Sequence, residues 1–198
     1  VGGLYELFIN GQRIGDHRLD PTYTRFDRRN LYVTYDVTEN LQQGENAVGV
    51  LLGNGWYNHQ STAVWYFDKA PWRARPKFCM DLRITYSDGT TEIIFTGQDW
   101  QTDYSPVIFN SIYTAEHYDA RLEQSGWNLP GFEAEGWRNA TNTGAPSQNI
   151  VAQALHPIRN VTEIPAVKMK KQGENKWLFD FGRNMAGVTK MKISGPEG

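Results

Sequence analysis

The amino-acid sequence predicts an all-β protein, an antiparallel β-sandwich of jelly-roll type, followed by the opening strands of a second sandwich. Three observations predict it. Short apolar runs alternate with Gly, Asn, Asp and Ser clusters along the whole chain. Two tight hairpins are written into those clusters. No long stretch repeats its apolar residues at helical spacing, and many short strands with turn signals between them point to a sandwich.

Leu4 to Ile9 is apolar and aromatic, and Asn10-Gly11 follows it at once. Asn-Gly favours a type I′ turn because both residues tolerate positive φ, so Gln12 to Gly15 is the return strand. Leu31 to Val37 alternates with period two, and Thr38 to Leu41 fits one short helical turn. Gly44-Glu45-Asn46 breaks the chain before a buried strand from Ala47 to Leu52. Lys77 to Tyr86 turns through Ser87-Asp88-Gly89-Thr90 into Thr91 to Phe95, a second hairpin. Gln98 to Thr102 reads as an edge strand, and Pro130 to Glu133 as a turn.

Residues 140–148 are polar and rich in Thr, Asn, Gly, Pro and Ser, which marks a linker or domain edge. The organisation expected is therefore a sandwich over 1–148 and a truncated second domain over 149–198. Within the latter, strands are expected at Val161 to Lys170, Trp177 to Phe181 and Val188 to Ile193. A turn is expected at Asn184 to Gly187, and a Gly195-Pro196 turn closes the chain. That tail holds too few strands to bury a core of its own.

Net charge is −2 with 20 basic and 22 acidic residues. This gives no electrostatic case for nucleic acid or an anionic membrane, and no apolar run is long enough to span a bilayer. No leader sequence is visible at Val1. The single cysteine, Cys79, lies in an apolar run and reads as an inert core thiol.

The chain carries 7 Trp, 10 Tyr and 9 Phe. Where such rings fall in Gly/Asn-rich loops, their flat faces suit sugar C–H faces or protein contacts. Gly53-Asn54-Gly55 is followed by Trp56-Tyr57, with no Lys and no helix to make a phosphate loop. Its two rings either plug the end of the sandwich or meet a ligand. Tyr113 to Arg121 packs two carboxylates, a guanidinium and two phenols into nine residues. That cluster is either a satisfied polar knot or a binding surface. Glu116 and Asp119 could be a hydrolytic pair, which needs carboxyl groups roughly 5–9.5 Å apart, but Arg121 is the nearer partner for either. No Gly-x-Ser-x-Gly elbow exists, and none of His17, His59, His117 and His156 stands at zinc-ligand spacing. Asp103, Asn110, Glu116 and Asp119 offer oxygens for calcium without any recognised loop pattern. The sugar-binding candidates are Asn54, Trp56, Tyr57, Glu116, Tyr118, Asp119 and Arg121; no catalytic residue, metal ligand or cofactor is assigned.

Five segments in order carry a resemblance. They are Tyr5 to Gly15, Tyr35-Asp36-Val37-Thr38, Gly44-Glu45-Asn46-Ala47, Gly53 to Tyr57, and Ile112-Tyr113 with Glu116 and Tyr118 to Arg121. Together they resemble the N-terminal, galactose-binding-like sandwich of bacterial α-L-rhamnosidases. Asp180 to Gly187 resembles the start of the family's next β-sandwich. One departure stands out, since Ala115 occupies a place where the family usually has Gly, so the local loop is expected to differ. The resemblance implies a non-catalytic accessory region whose partner is its own downstream helical (α/α)6 domain. That domain would hydrolyse terminal α-L-rhamnosyl linkages with inversion. Two alternatives stay open, a stand-alone module binding rhamnose-containing glycans and a protein-interaction sandwich. The family's substrates imply the periplasm or the cell exterior. Calcium binding is not carried over, because Asn110-Ser111 brings no carboxylate to the matching place.

Overall fold

A computed structural model describes residues 1–62 and 65–195. It is all-β, with no α-helix among the described residues. The strands are β1 Leu4–Ile9, β2 Gln12–Arg13, β3 His17–Arg18, β4 Asn30–Tyr32, β5 Val48–Gly53, β6 Asp81–Thr85, β7 Thr91–Phe95 and β8 Gln101–Thr102. There follow β9 Val107–Ser111, β10 Ala115–Tyr118, β11 Arg138–Asn139, β12 Ile150–Ala152, β13 Ile158–Arg159, β14 Lys168–Gly173 and β15 Lys176–Asp180. The chain forms two compact units, Val1–Ile158 and Arg159–Gly198.

In the first unit, β1 is the centre of a β2-β1-β5 sheet, antiparallel on both sides. Its hairpin turns through Asn10 and Gly11 at φ 50° and 80°, the left-handed pair that a type I′ turn requires. Asn10 also ties the hairpin to the loop before β5: its Oδ1 accepts from Ala47 N at 2.9 Å, and its Nδ2 donates to Asn46 Oδ1 at 2.9 Å. The apolar side chains of β1 and β5, including Leu7, Ile9 and Val50, face Leu31, Phe78 and Leu82 across a cavity of about 500 Å³. Ile9, Ile14, Phe26, Leu31 and Tyr57 are the buried hydrophobic residues of this unit.

The opposite face of the sheet is covered by Trp127. Phe8 stands directly across from Gly49 in the register. Trp127 meets the Phe8 ring edge-on at 5.4 Å. A Cβ on Gly49 would lie 2.6 Å from Trp127 Cζ3, so this strand position is open only to glycine.

The β6–β7 and β9–β10 hairpins are antiparallel, and β8 pairs with β11. β12 departs from this rule and runs parallel to β4. Gln153, just beyond β12, takes the amide of Thr22 on its Oε1 at 2.7 Å and donates to buried Asp20 at 3.2 Å. The segment after the polar stretch 140–148 therefore packs into the first unit. Leu31 to Val37 is a strand only as far as Tyr32. Cys79 is exposed, not a core thiol.

The second unit, taken by itself, is built on the β14–β15 hairpin. Met169, Trp177, Leu178 and Phe179 on it are 45–59 % exposed, as expected for two strands that cannot enclose a core. No strand forms over residues 188–193; the chain there is irregular. The bend falls at Gly182-Arg183, not at Asn184 to Gly187. Pro196, and with it the Gly195-Pro196 turn, lies outside the described residues.

Candidate functional site

The loop leaving β5 is fastened to β9 by an amide clasp. Asn54 N donates to Asn110 Oδ1 at 2.7 Å, and Asn54 Nδ2 donates to the Asn110 carbonyl at 2.9 Å. Asn58 Nδ2 then donates to Asn54 Oδ1 at 2.7 Å. Gly55 follows at φ +51°, with its missing Cβ 2.8 Å from Leu4 Cγ. Only glycine takes that conformation at that distance, and it sends the next two rings in different directions.

Tyr57 turns inward and is 1 % exposed. It meets Phe26 edge-on at 5.1 Å, and burial raises the pKa of its phenol. This ring plugs the end of the core and presents no face to solvent. Trp56 stays half-buried at the centre of an aromatic cluster. Phe67 lies edge-on at 5.2 Å, Tyr113 edge-on at 5.6 Å and Tyr23 tilted at 5.8 Å. His59 stacks on Trp56 at 5.4 Å and 28°. His59 is itself 1 % exposed; its Nε2 pairs with Ser61 Oγ at 3.0 Å, while its Nδ1 has no hydrogen-bond partner. Arg73 Nε donates to the His59 carbonyl at 2.8 Å, holding the far side of the loop.

The segment Tyr113 to Arg121 is exposed along nearly its whole length. Glu116 lies across from Asn110 in the β9–β10 register, so it shares a hairpin with the Asn54 clasp. Ala115 takes φ 65°. The loop therefore keeps a left-handed residue here despite the Cβ. Asp119 caps the 3-10 turn Ala120–Leu122 by accepting from Arg121 N at 3.1 Å. The same carboxylate accepts Arg121 Nε at 2.8 Å and Nη2 at 2.6 Å. Those hydrogen bonds hold the Asp119 carboxyl below its usual pKa. Tyr118 donates to Glu123 Oε1, and this hydrogen bond raises the phenol pKa. Tyr118, Asp119 and Arg121 of the charge-dense stretch are thus paired with near neighbours in the chain.

The candidates fall into two groups. Asn54 and Trp56 belong to the aromatic loop, with Tyr57 beneath it. Glu116, Tyr118, Asp119 and Arg121 lie on or just after β10. Sequence reasoning gave Tyr23, His59, Phe67 and Asn110 no part in shaping this loop, which they do. A signal existed for part of this, since six of the seventeen residues from Trp56 to Trp72 are Trp, Tyr or Phe. Among the described residues, no group of three or more His, Cys, Asp or Glu is placed to hold a metal ion. Among the described residues, no helix is long and apolar enough to cross a membrane.

Comparison with known proteins matches this architecture to one family. The family profile "Alpha-L-rhamnosidase N-terminal domain" covers residues 2–162. A curated α-L-rhamnosidase from Formosa agariphila is 36 % identical over 99 % of this chain, which spans 21 % of that protein. A solved α-L-rhamnosidase from Streptomyces avermitilis, complexed with L-rhamnose, superposes with a TM-score of 0.84 at 35 % identity; 92 % of this chain and 18 % of that one are covered. The α-L-rhamnosidase from Dictyoglumus thermophilum gives 0.81 at 39 %, covering 91 % and 19 %. This chain spans about a fifth of the length of the curated relatives it matches. By profile, identity and fold together, the chain belongs to the α-L-rhamnosidase N-terminal domain family.

Proposed function

We propose that this chain is a non-catalytic accessory region of an α-L-rhamnosidase, supporting a catalytic domain carried elsewhere in the parent protein. The observation that carries this reading is the match to an N-terminal domain whose relatives are about five times longer. In the parent, a helical (α/α)6 domain would supply the acid and base carboxylates and cleave terminal α-L-rhamnosyl linkages with inversion. The Asp119 carboxylate supports a scaffold role. A general acid needs a raised pKa, whereas Asp119 is lowered by its hydrogen bonds to Arg121. Arg159–Gly198 is read as the opening of the next β-sandwich, and the parent as a periplasmic or extracellular enzyme. Incubation with an aryl α-L-rhamnoside tests the reading. No release of the phenol is expected from this chain, and enzyme-like turnover would overturn the assignment.

A further inference from the structure

We propose that β7 is the pairing edge of a homodimer, in which two copies of this chain join antiparallel strands across a two-fold axis at Ile94. Among the described residues, the backbone of β7 bonds only to β6, so its other edge is open. Every residue of β7 is exposed, with Ile93 at 45 %, Ile94 at 42 % and Phe95 at 62 %. An open edge is a template for another strand, and proteins commonly blunt it with lysine, proline or a bulge. β7 has none of the three, and its register with β6 is unbroken from Thr91 to Phe95.

Charge complementarity makes a second copy the fitting occupant. Self-pairing of β6 about its middle would set Arg83 against its own counterpart, and like charges directly opposite are unfavourable. β14 carries three lysines and, like β10, a register shift in its hairpin. On β7 the one charged residue is Glu92, and the Tyr86 hydroxyl already donates to its Oε2. With the axis at Ile94, Glu92 lies opposite Thr96 of the second copy. The Thr96 hydroxyl accepts from Met80 N at 3.2 Å, which leaves its own proton for the other Glu92 oxygen.

The same register sets Ile93 against Phe95 on both sides of the axis, and Ile94 against its counterpart. An aromatic ring beside a β-branched residue is a favourable cross-strand pair. Within each copy, Arg83 stands opposite Ile93 and Asp81 opposite Phe95. Each row across the joined sheet therefore runs from Asp81 through Phe95 and Ile93 to Arg83, acid at one end and base at the other. The two-fold uses β7 of both copies, so pairing along this edge stops at two. A strip this short falls below the roughly 800 Å² per partner of a standard interface, so the dimer is weak, with a Kd on the order of 100 µM.

The test is sedimentation velocity of this chain over a range from about 1 µM to about 1 mM, where a shift from monomer to dimer is expected. Ile93→Glu and Phe95→Lys each alter both symmetry-related pairs and should weaken association about tenfold. Arg83 and Asp81 stand opposite these positions with the matching charge, so each variant should keep its fold, read as an unchanged urea midpoint. The double variant Ile93→Glu/Phe95→Lys sets carboxylate against ammonium at both pairs and should restore association to within about threefold. Ile108→Glu, on exposed β9, should leave it unchanged. Without any substitution, the β7 amides should exchange with deuterium more slowly at the top of the range than at the bottom. A chain that stays monomeric throughout overturns the proposal, as does β7 exchange that ignores concentration. Association that neither single variant weakens, or that the double variant fails to restore, overturns it too. None of these results touches the scaffold reading, which falls only on hydrolytic turnover.

Discussion

Ala115→Gly should stabilise this protein. Ala115 opens β10 at φ 65°, and it is exposed, so its Cβ contributes no burial that glycine would forfeit. Holding an L-residue in the left-handed region costs about 1–2 kcal/mol. Glycine removes that cost but brings a more disordered unfolded chain, which offsets about 0.4–1 kcal/mol of the gain. The net expectation is a stabilisation of about 0.5–1 kcal/mol. For a chain of this size that is a rise in Tm of about 1–4 °C. Urea unfolding followed by Trp fluorescence reads it as a higher midpoint at unchanged slope. Ala115→Val, which is β-branched, should move the midpoint the other way. If Ala115→Gly lowered the midpoint, the residue would not occupy the left-handed region, and the reasoning about this hairpin would fail.

Gly49→Ala should destabilise by about 1–3 kcal/mol through overpacking, because the new methyl meets Trp127 at 2.6 Å; the same unfolding assay checks it. Asn110→Ala leaves the Asn54 backbone amide without its acceptor and should cost about 1–3 kcal/mol. A faster exchange of that amide with solvent deuterium would confirm which bond was lost. The Asp119 carboxyl, lowered by its hydrogen bonds to Arg121, should titrate below the ordinary aspartate range by carbon-detected NMR. Since the folded pKa is the lower one, the cap contributes at pH values above the unfolded pKa. Its contribution should disappear as pH falls through the folded pKa.

Much of the fold was legible because the turns announce themselves. Asn10-Gly11 and Ser87 to Thr90 can form few structures other than tight hairpins, and both appear. The parallel β4–β12 pair was not legible, because nothing local tells Ile150 to Ala152 which strand to meet 120 residues back in the chain; burial and long-range pairing decide that. Cys79 misled for a related reason, since an apolar run says nothing about which face a side chain takes. In the site, the Gly-Asn-Gly turn before Trp56 was readable, but the partners of the ring were not. Tyr23 and Tyr113 reach it from segments 33 and 57 residues away. The charge-dense stretch looked functional by density alone. Its short-range pairs, Asp119 with Arg121 and Tyr118 with Glu123, could have been suspected from their spacing of two and five residues.

The parallel pairing of Ile150–Ala152 with Asn30–Tyr32 decides where this polypeptide can be safely cut. A version ending at Gln148 would strip β4 of its neighbour and leave bare amides and carbonyls along that edge. It would also deprive buried Asp20 of the Gln153 amide. Unclothed strand edges recruit one another, so the shorter polypeptide should clump, whereas one that keeps β12 and Gln153 should leave β4 covered and stay dispersed.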